Sequence, residues 1–210
     1  MSITNDIVEG EFKGIKYKIY NSSDGLAREM YQYYEVEVRD KYWNMKKGDV
    51  IVDVGSMYGE YAILGLLTGA EKAYCFDPST DKMDYIHNVA KLNGIDDNRL
   101  ITHDIILDNI RQYRLDDWIS SHVDWIKIDV EGMELDVLEG ARKTIKKSKP
   151  NLLVELHHFV DKNIQKKVID YIILELDYSN ITIDPYHIYF DAGNDASHLF
   201  ARPHLHSKIP

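Results

Sequence analysis

A single cysteine, Cys75, occurs among the 210 residues. One thiol cannot build an internal disulfide framework, and it excludes cysteine-based zinc sites. Its place in an apolar strand pattern marks it as a small buried hydrophobe rather than a nucleophile. Long apolar runs are missing as well. No stretch approaches the roughly 18 residues of a membrane span, and the polar start from Met1 to Glu11 has no signal-peptide core. Excess positive charge is absent: the net charge of −10 opposes nonspecific attraction to nucleic acid or an anionic membrane. The basic run from Arg142 to Lys149 is a local exception, expected at the end of a helix where cations complement the dipole. The nine histidines form no tight cluster, leaving His157-His158 and the tail residues His204 and His206 as metal-site candidates only. The simplest expectation is a cytoplasmic protein with neither nucleic acid nor membrane as partner.

What the chain does have is enough apolar sequence, 44%, for one substantial core. From residue 48 onward, strand-like and helix-like segments alternate. Strands are expected at Val50–Val54, Ala73–Phe76, Leu100–His103, Trp125–Ile128 and Leu152–Leu156. Helices are expected at Gly59–Leu67, Thr80–Leu92, Leu135–Ile145 and Lys162–Leu176. Near the end, His187–Phe190 and His198–Ala201 flank Asp191-Ala-Gly-Asn-Asp195 and read as a hairpin. The fold class is therefore α/β: a Rossmann-like, mostly parallel twisted sheet with helices on both faces and a C-terminal antiparallel hairpin. That combination is characteristic of class I methyltransferase folds. Residues 48–210 would form this domain. Residues 1–47 would form an accessory element, with a strand at Phe12–Tyr20 and a helix around Leu26–Trp43, rich in tyrosine and either packed on the sheet or serving as a lid.

The stretch Trp125-Ile-Lys-Ile-Asp-Val-Glu-Gly-Met-Glu134 carries the strongest chemical signal. A hydrophobic strand ends on Asp129, breaks at Gly132 and leaves Asp129, Glu131 and Glu134 close together in sequence. The strand after it, Asn151–His157, ends on Glu155 and His157. Open α/β sheets bind ligands outside the carboxyl ends of their strands, so acids placed there are poised for chemistry.

Val50-Ile-Val-Asp-Val-Gly55-Ser-Met-Tyr-Gly59-Glu60 combines a strand, a glycine turn and a helix start. Glycines in such a turn permit positive φ and close approach of a ligand to the backbone. Asp77 ends the next strand about 20 residues on, where a ribose-binding acid is expected. Either a dinucleotide or S-adenosylmethionine (SAM) has such a ribose. Three details favour SAM. The glycine spacing is Gly-x-x-x-Gly, not the dinucleotide pattern. Asp53 precedes the loop, where a carboxylate suits an ammonium group. Glu60 stands at the helix start, where it would repel a pyrophosphate. The only Tyr-x-x-x-Lys, Tyr42 to Lys46, precedes the loop, the wrong order for a short-chain dehydrogenase.

Further segments follow in order: Cys75-Phe-Asp-Pro-Ser79, Arg114-Leu-Asp-Asp-Trp-Ile119, Val137-Leu-Glu-Gly-Ala141, Pro150 with Val154-Glu-Leu-His157, and Leu199-Phe-Ala-Arg-Pro203. With the acidic segment and the glycine loop, the series closely resembles the FkbM-type SAM-dependent methyltransferases over about Gly48 to Pro203. The resemblance implies methyl transfer, usually to a hydroxyl oxygen of a sugar, polyketide or other small molecule. It implies a cofactor site at Asp53, Gly55, Ser56, Tyr58, Gly59, Asp77, Pro78, Ser79 and Asp129. Asp77 stands where the family often has glutamate, and Tyr58-Gly-Glu60 is an unusual filling of the loop.

A hydroxyl acceptor must lose its proton. His157 is the first candidate base, its ordinary pKa being near neutrality, with Asp129, Glu131 and Glu155 as alternatives. The same acids could instead hold Mg²⁺, since carboxylate oxygens suit that ion, but no spacing motif requires a metal. Glu134 is expected to complement a helix dipole. Base methylation has little support: Asp129-Val-Glu-Gly occupies the position where nucleobase amino-methyltransferases carry an Asp/Asn-Pro-Pro-Tyr loop, and Asp184-Pro-Tyr186 reads as a turn. A noncatalytic SAM-binding domain and a NAD-dependent oxidoreductase are the remaining alternatives.

Overall fold

A computed structural model describes residues 3–110, 112–184 and 196–203. The chain divides into two compact units, Met1–Ile106 and Leu107–Pro210.

The first unit opens with a hairpin, β1 (Ile3–Phe12) and β2 (Ile15–Ser22), paired antiparallel with Phe12 opposite Ile15. Its two-residue turn, Lys13-Gly14, has positive φ at both positions (49° and 79°), the geometry that matches strand twist in a tight hairpin. The expected single strand at Phe12–Tyr20 is therefore two strands. The expected helix at Leu26–Trp43 is also two: α1 (Leu26–Gln32) and α2 (Val36–Tyr42), separated at Glu35, whose φ is 50°. An unbroken helix would give the Tyr31 carbonyl to the amide of residue 35. Here that carbonyl accepts from the Tyr17 hydroxyl at 3.1 Å and from Arg39 Nη2 at 3.0 Å.

Beyond this lie β3 (Val50–Val54), α3 (Glu60–Thr68), β4 (Lys72–Phe76), α4 (Thr80–Leu92) and β5 (Leu100–His103). The strands are parallel in the order β5-β4-β3. Ile51, Val52 and Val54 are buried, as parallel strands covered on both faces require. On α4, Met83, Ile86, Val89 and Ala90 form the buried stripe, and Gly94 with φ 70° ends the helix.

The second unit contains α5 (Leu115–Trp118), β6 (Trp125–Ile128), α6 (Glu134–Gly140), α7 (Arg142–Ser148), β7 (Asn151–His157), α8 (Ile164–Leu174), β8 (Asn180–Asp184) and β9 (Ala196–Arg202). Strands β6 and β7 are parallel, β9 runs antiparallel to β7, and β8 runs antiparallel to β9. Leu152, Val154, Leu156 and Leu199 from the strands are buried with Leu138, Ile145 and Val168 from the helices.

Two expectations change in this unit. The helix expected over Leu135–Ile145 is divided at Ala141, because the Asp116 carboxylate accepts from the Lys143 and Thr144 amides (2.9 and 2.7 Å) and so caps a separate α7. The basic run makes up α7 rather than the end of a longer helix. The antiparallel hairpin is present, with β8 as the partner of β9. His187–Phe190, the turn at 191–195, and His204 and His206 lie outside the described residues. No helix among the described residues is long and apolar enough to cross a membrane.

Candidate functional site

In the first unit, β3 delivers Asp53, 1% exposed, to the start of the glycine loop. Gly55, Met57 and Gly59 all have positive φ (75°, 41° and 75°), so the loop coils tightly before α3 begins at Glu60. The Phe76 carbonyl accepts from the Gly55 and Ser56 amides at 2.8 and 3.2 Å, tying the loop to the end of β4. Gly59 is required for a further reason: a Cβ there would lie 2.8 Å from Ile86 Cγ1 of α4.

Asp77 directly follows β4 and organises both neighbouring segments. One carboxylate oxygen accepts from the Met57 amide at 3.1 Å, the other from the Ser79 amide at 3.0 Å. A carboxylate has about four lone-pair sites, so it can still accept ligand hydroxyls. Pro78 is exposed and Ser79 half-buried at the start of α4. Ser56 is buried. Tyr58 is fully buried: its ring meets the Tyr85 edge at 5.2 Å, Lys82 Nζ lies 3.3 Å from its centroid, and its carbonyl accepts from the Tyr31 hydroxyl at 3.1 Å. Burial, with the carboxylates of Asp53, Glu60 and Asp77, pushes the Cys75 thiol well above its ordinary pKa, so it is no nucleophile. Acids at 53, 60 and 77 around a loop with close backbone access fit a ligand that carries a cation and hydroxyls. They oppose a dianionic pyrophosphate.

In the second unit, β6 ends at Ile128 and Asp129 follows. Glu131 (φ 47°) and Gly132 (φ 107°) then turn the chain sharply into α6. Lys127, buried within the strand, pairs with Asp129 Oδ2 at 2.9 Å. Residues two apart on a strand share a face, so this pair follows directly from the Trp-Ile-Lys-Ile-Asp pattern.

His157, 6% exposed, ends β7. Its Nδ1 lies 2.5 Å from Glu134 Oε1, and its Nε2 lies 3.6 Å from Asp129 Oδ1 and 3.9 Å from Glu155 Oε1. The Phe159 ring stands edge-on to the imidazole. Glu134, fully buried, also accepts from the Gly132 amide at 2.9 Å. It stands in the first turn of α6, as a dipole partner should, and in addition is hydrogen-bonded to His157. The sequence signal for it was only an acid at a helix start, which many helices have.

The structure brings together Asp129, Glu155 and His157 from the expected set, with ligating atoms within 4.8 Å of one another. Glu131 is exposed on its turn and acts on the histidine only through its charge. Burial lowers the His157 pKa. The hydrogen bond to Glu134 and the charges of Asp129, Glu134 and Glu131 outweigh this, so the net shift is upward.

The Methyltransferase FkbM domain family matches residues 53–180. Among solved structures, a methyltransferase FkbM from Methylobacillus flagellatus KT superimposes with a TM-score of 0.62 at 21% identity, covering 75% of this chain and 44% of that one. A putative SAM-dependent methyltransferase from Streptococcus mutans gives a TM-score of 0.63 at 13% identity, covering 96% and 56%. A second putative methyltransferase from Streptococcus mutans, in complex with SAH, gives 0.56 at 13% identity, covering 79% and 95%. These likenesses show a shared fold, and the chain spans about half the length of the first two. Among curated proteins, no sequence matches.

Proposed function

The chain belongs to the FkbM methyltransferase family, and from that premise we propose that it transfers a methyl group from SAM to a hydroxyl oxygen of a small molecule. The observation that carries this reading is the Glu134–His157–Asp129 arrangement. An ionised carboxylate only accepts hydrogen bonds, so Nδ1–H of His157 donates to Glu134. That fixes the tautomer and leaves the Nε2 lone pair to take the acceptor's hydroxyl proton. Asp129, 3.6 Å from Nε2, stabilises the imidazolium so formed.

Bound SAM supplies an electrophilic methyl group on a sulfonium. Asp53 and Glu60 offer negative charge to its ammonium and sulfonium, and Asp77 accepts from the ribose hydroxyls. Gly55, Ser56 and Gly59 allow close approach, and Pro78 and Ser79 shape the adjoining wall, while Tyr58, its ring buried against Tyr85, supports the loop from behind. Asp129, assigned to both roles in the sequence, serves the histidine in this reading. Lys127 already engages Asp129 Oδ2 and leaves Oδ1 toward His157, which favours proton transfer over a divalent cation at Asp129, Glu155 and His157. The SAH bound by the Streptococcus mutans relative supports the cofactor assignment.

Calorimetric titration with SAM, SAH and NAD, followed by SAH release from a panel of hydroxylated acceptors, tests the proposal. Binding of SAM and SAH with turnover on a hydroxyl compound supports it. SAM binding without turnover on any acceptor would favour a noncatalytic SAM-binding domain, and NAD binding would favour an oxidoreductase.

A further inference from the structure

Phe159 and Val160 come directly after His157-His158 at the end of β7, and they are 44% and 53% exposed. Surface hydrophobes are ordinary, and Leu174 of α8 is one that needs no explanation. These two differ by position. The Phe159 ring centroid is 5.5 Å from that of His157. Val160 lies against the turn that carries Glu131, since a Cβ on Gly132 would fall 2.5 Å from Val160 Cγ1. The pair therefore borders both the imidazole and the acid turn, all within the second unit.

The segment that presents them is tied down. The His157 carbonyl accepts from the Val160 and Asp161 amides at 3.1 and 3.4 Å. The Asp161 carboxylate accepts from the Asn163 amide at 2.8 Å and pairs with Lys167 at 2.7 Å, at the start of α8. His158 is engaged elsewhere, its Nε2 lying 2.8 Å from Ser197 Oγ of β9. A hydroxyl bonded to His157 Nε2 sits about 2.8 Å from it, so an acceptor the size of one aromatic ring spans from that nitrogen to Phe159. The carboxylates bordering this place are Asp129, Glu131 and Asp161. An anionic acceptor meets repulsion from them, and the Phe159 and Val160 side chains offer no hydrogen bond to a heavily hydroxylated one.

We propose that Phe159 and Val160 are specificity-determining residues, an apolar seat for the hydrocarbon or aromatic body of an uncharged alcohol or phenol whose hydroxyl reaches His157 Nε2. Calling that compound the methyl acceptor rests on the methyl-transfer reading above; the seat itself does not. Covering the two side chains removes apolar surface from water, and the imidazole beside them supplies the one polar contact that orients the hydroxyl.

The test uses the full chain with ¹⁵N-labelled histidine, the His157 ring signals being assigned by their loss in His157→Gln. It is titrated with 3-phenylpropanol, 4-phenylphenol and decanol, and with glycerol and methyl glucoside as hydroxyl probes that lack a hydrocarbon body. At least one of the first three should shift the His157 ring nitrogens saturably, with glycerol and methyl glucoside about tenfold weaker or worse. Phe159→Ala should weaken that compound about tenfold, Val160→Ser should weaken it as well, and Phe159→Leu should restore most of the affinity. Both side chains stand at the surface, so the variants should fold, which an unmoved His157 Nδ1–H signal checks. With SAM present, SAH release from the same compound should show KM raised about tenfold by Phe159→Ala and kcat little changed. Binding of none of the three, equal binding of glycerol or methyl glucoside, or full affinity in Phe159→Ala overturns the seat. If the binding pattern holds but no SAH is released, the seat stands and the methyl-transfer reading falls. SAH release from methyl glucoside, with none of the three bound, removes the seat and leaves that reading in place.

Discussion

Glu134 and His157 come from different elements, α6 and the end of β7, and meet in a 2.5 Å contact between Oε1 and Nδ1. Neither is exposed by more than 6%. Burial lowers the histidine's pKa, and the Glu134 hydrogen bond, with the charges of Asp129, Glu134 and Glu131, raises it above its ordinary value.

Replacing Glu134 with Gln keeps the shape and removes the charge. His157 then loses its main upward influence, so the acid limb of the pH–rate profile should move to lower pH. The plateau should fall by about 10² to 10⁴, the range for a positioned base. A pH profile of kcat checks both; an unmoved limb would show that His157 is not the group titrating.

His157 also links pH to stability. Its folded pKa is raised, so its stabilising contribution is fully present below the unfolded value of about 6.5. It is lost as pH rises through the folded value. Urea midpoints should therefore decline more steeply on that side of neutrality in the unaltered chain than in His157→Gln.

His157→Ala and Asp129→Asn should spare SAM affinity and lower turnover, His157→Ala by about 10² to 10⁴. Full activity in both would remove the proton-transfer assignment. Chelation with EDTA should leave turnover unchanged, since no step assigned here uses a metal; loss restored by Mg²⁺ would reassign Asp129, Glu155 and His157 as ligands.

Asp53→Ala should abolish SAM binding while the chain stays folded by circular dichroism. Asp77→Asn should weaken SAM binding and loosen the loop as well, because its carboxylate accepts from the Met57 and Ser79 amides.

Gly59→Ala tests the loop itself. The φ of 75° alone costs about 1–3 kcal/mol for a residue with a side chain, and the contact with Ile86 adds to it. Lower unfolding free energy together with weaker SAM binding is expected; an unaffected midpoint would mean that the loop adapts freely.

Local patterns determined much of the architecture. The apolar runs that became β3, β5 and β6, and the stripe with its Asn93-Gly94 stop that became α4, lie where spacing and end signals place them. Asp129, Glu155 and His157 were legible because each sits at or next to the carboxyl end of a recognisable strand. Chain order and composition sufficed for these, since periodicity records which face is buried and turns record where strands stop.

Tertiary contacts decided the rest. Asp116 divides α6 from α7 with a cap from 27 residues away in sequence, and Arg39 with Tyr17 captures the carbonyl at the break between α1 and α2. No local propensity encodes such acceptors and donors. The orientation of Glu134 toward His157 belongs to the same class. A carboxylate at a helix start is ordinary by its sequence, and it becomes the partner of a buried histidine only where folding excludes water and brings the two within reach.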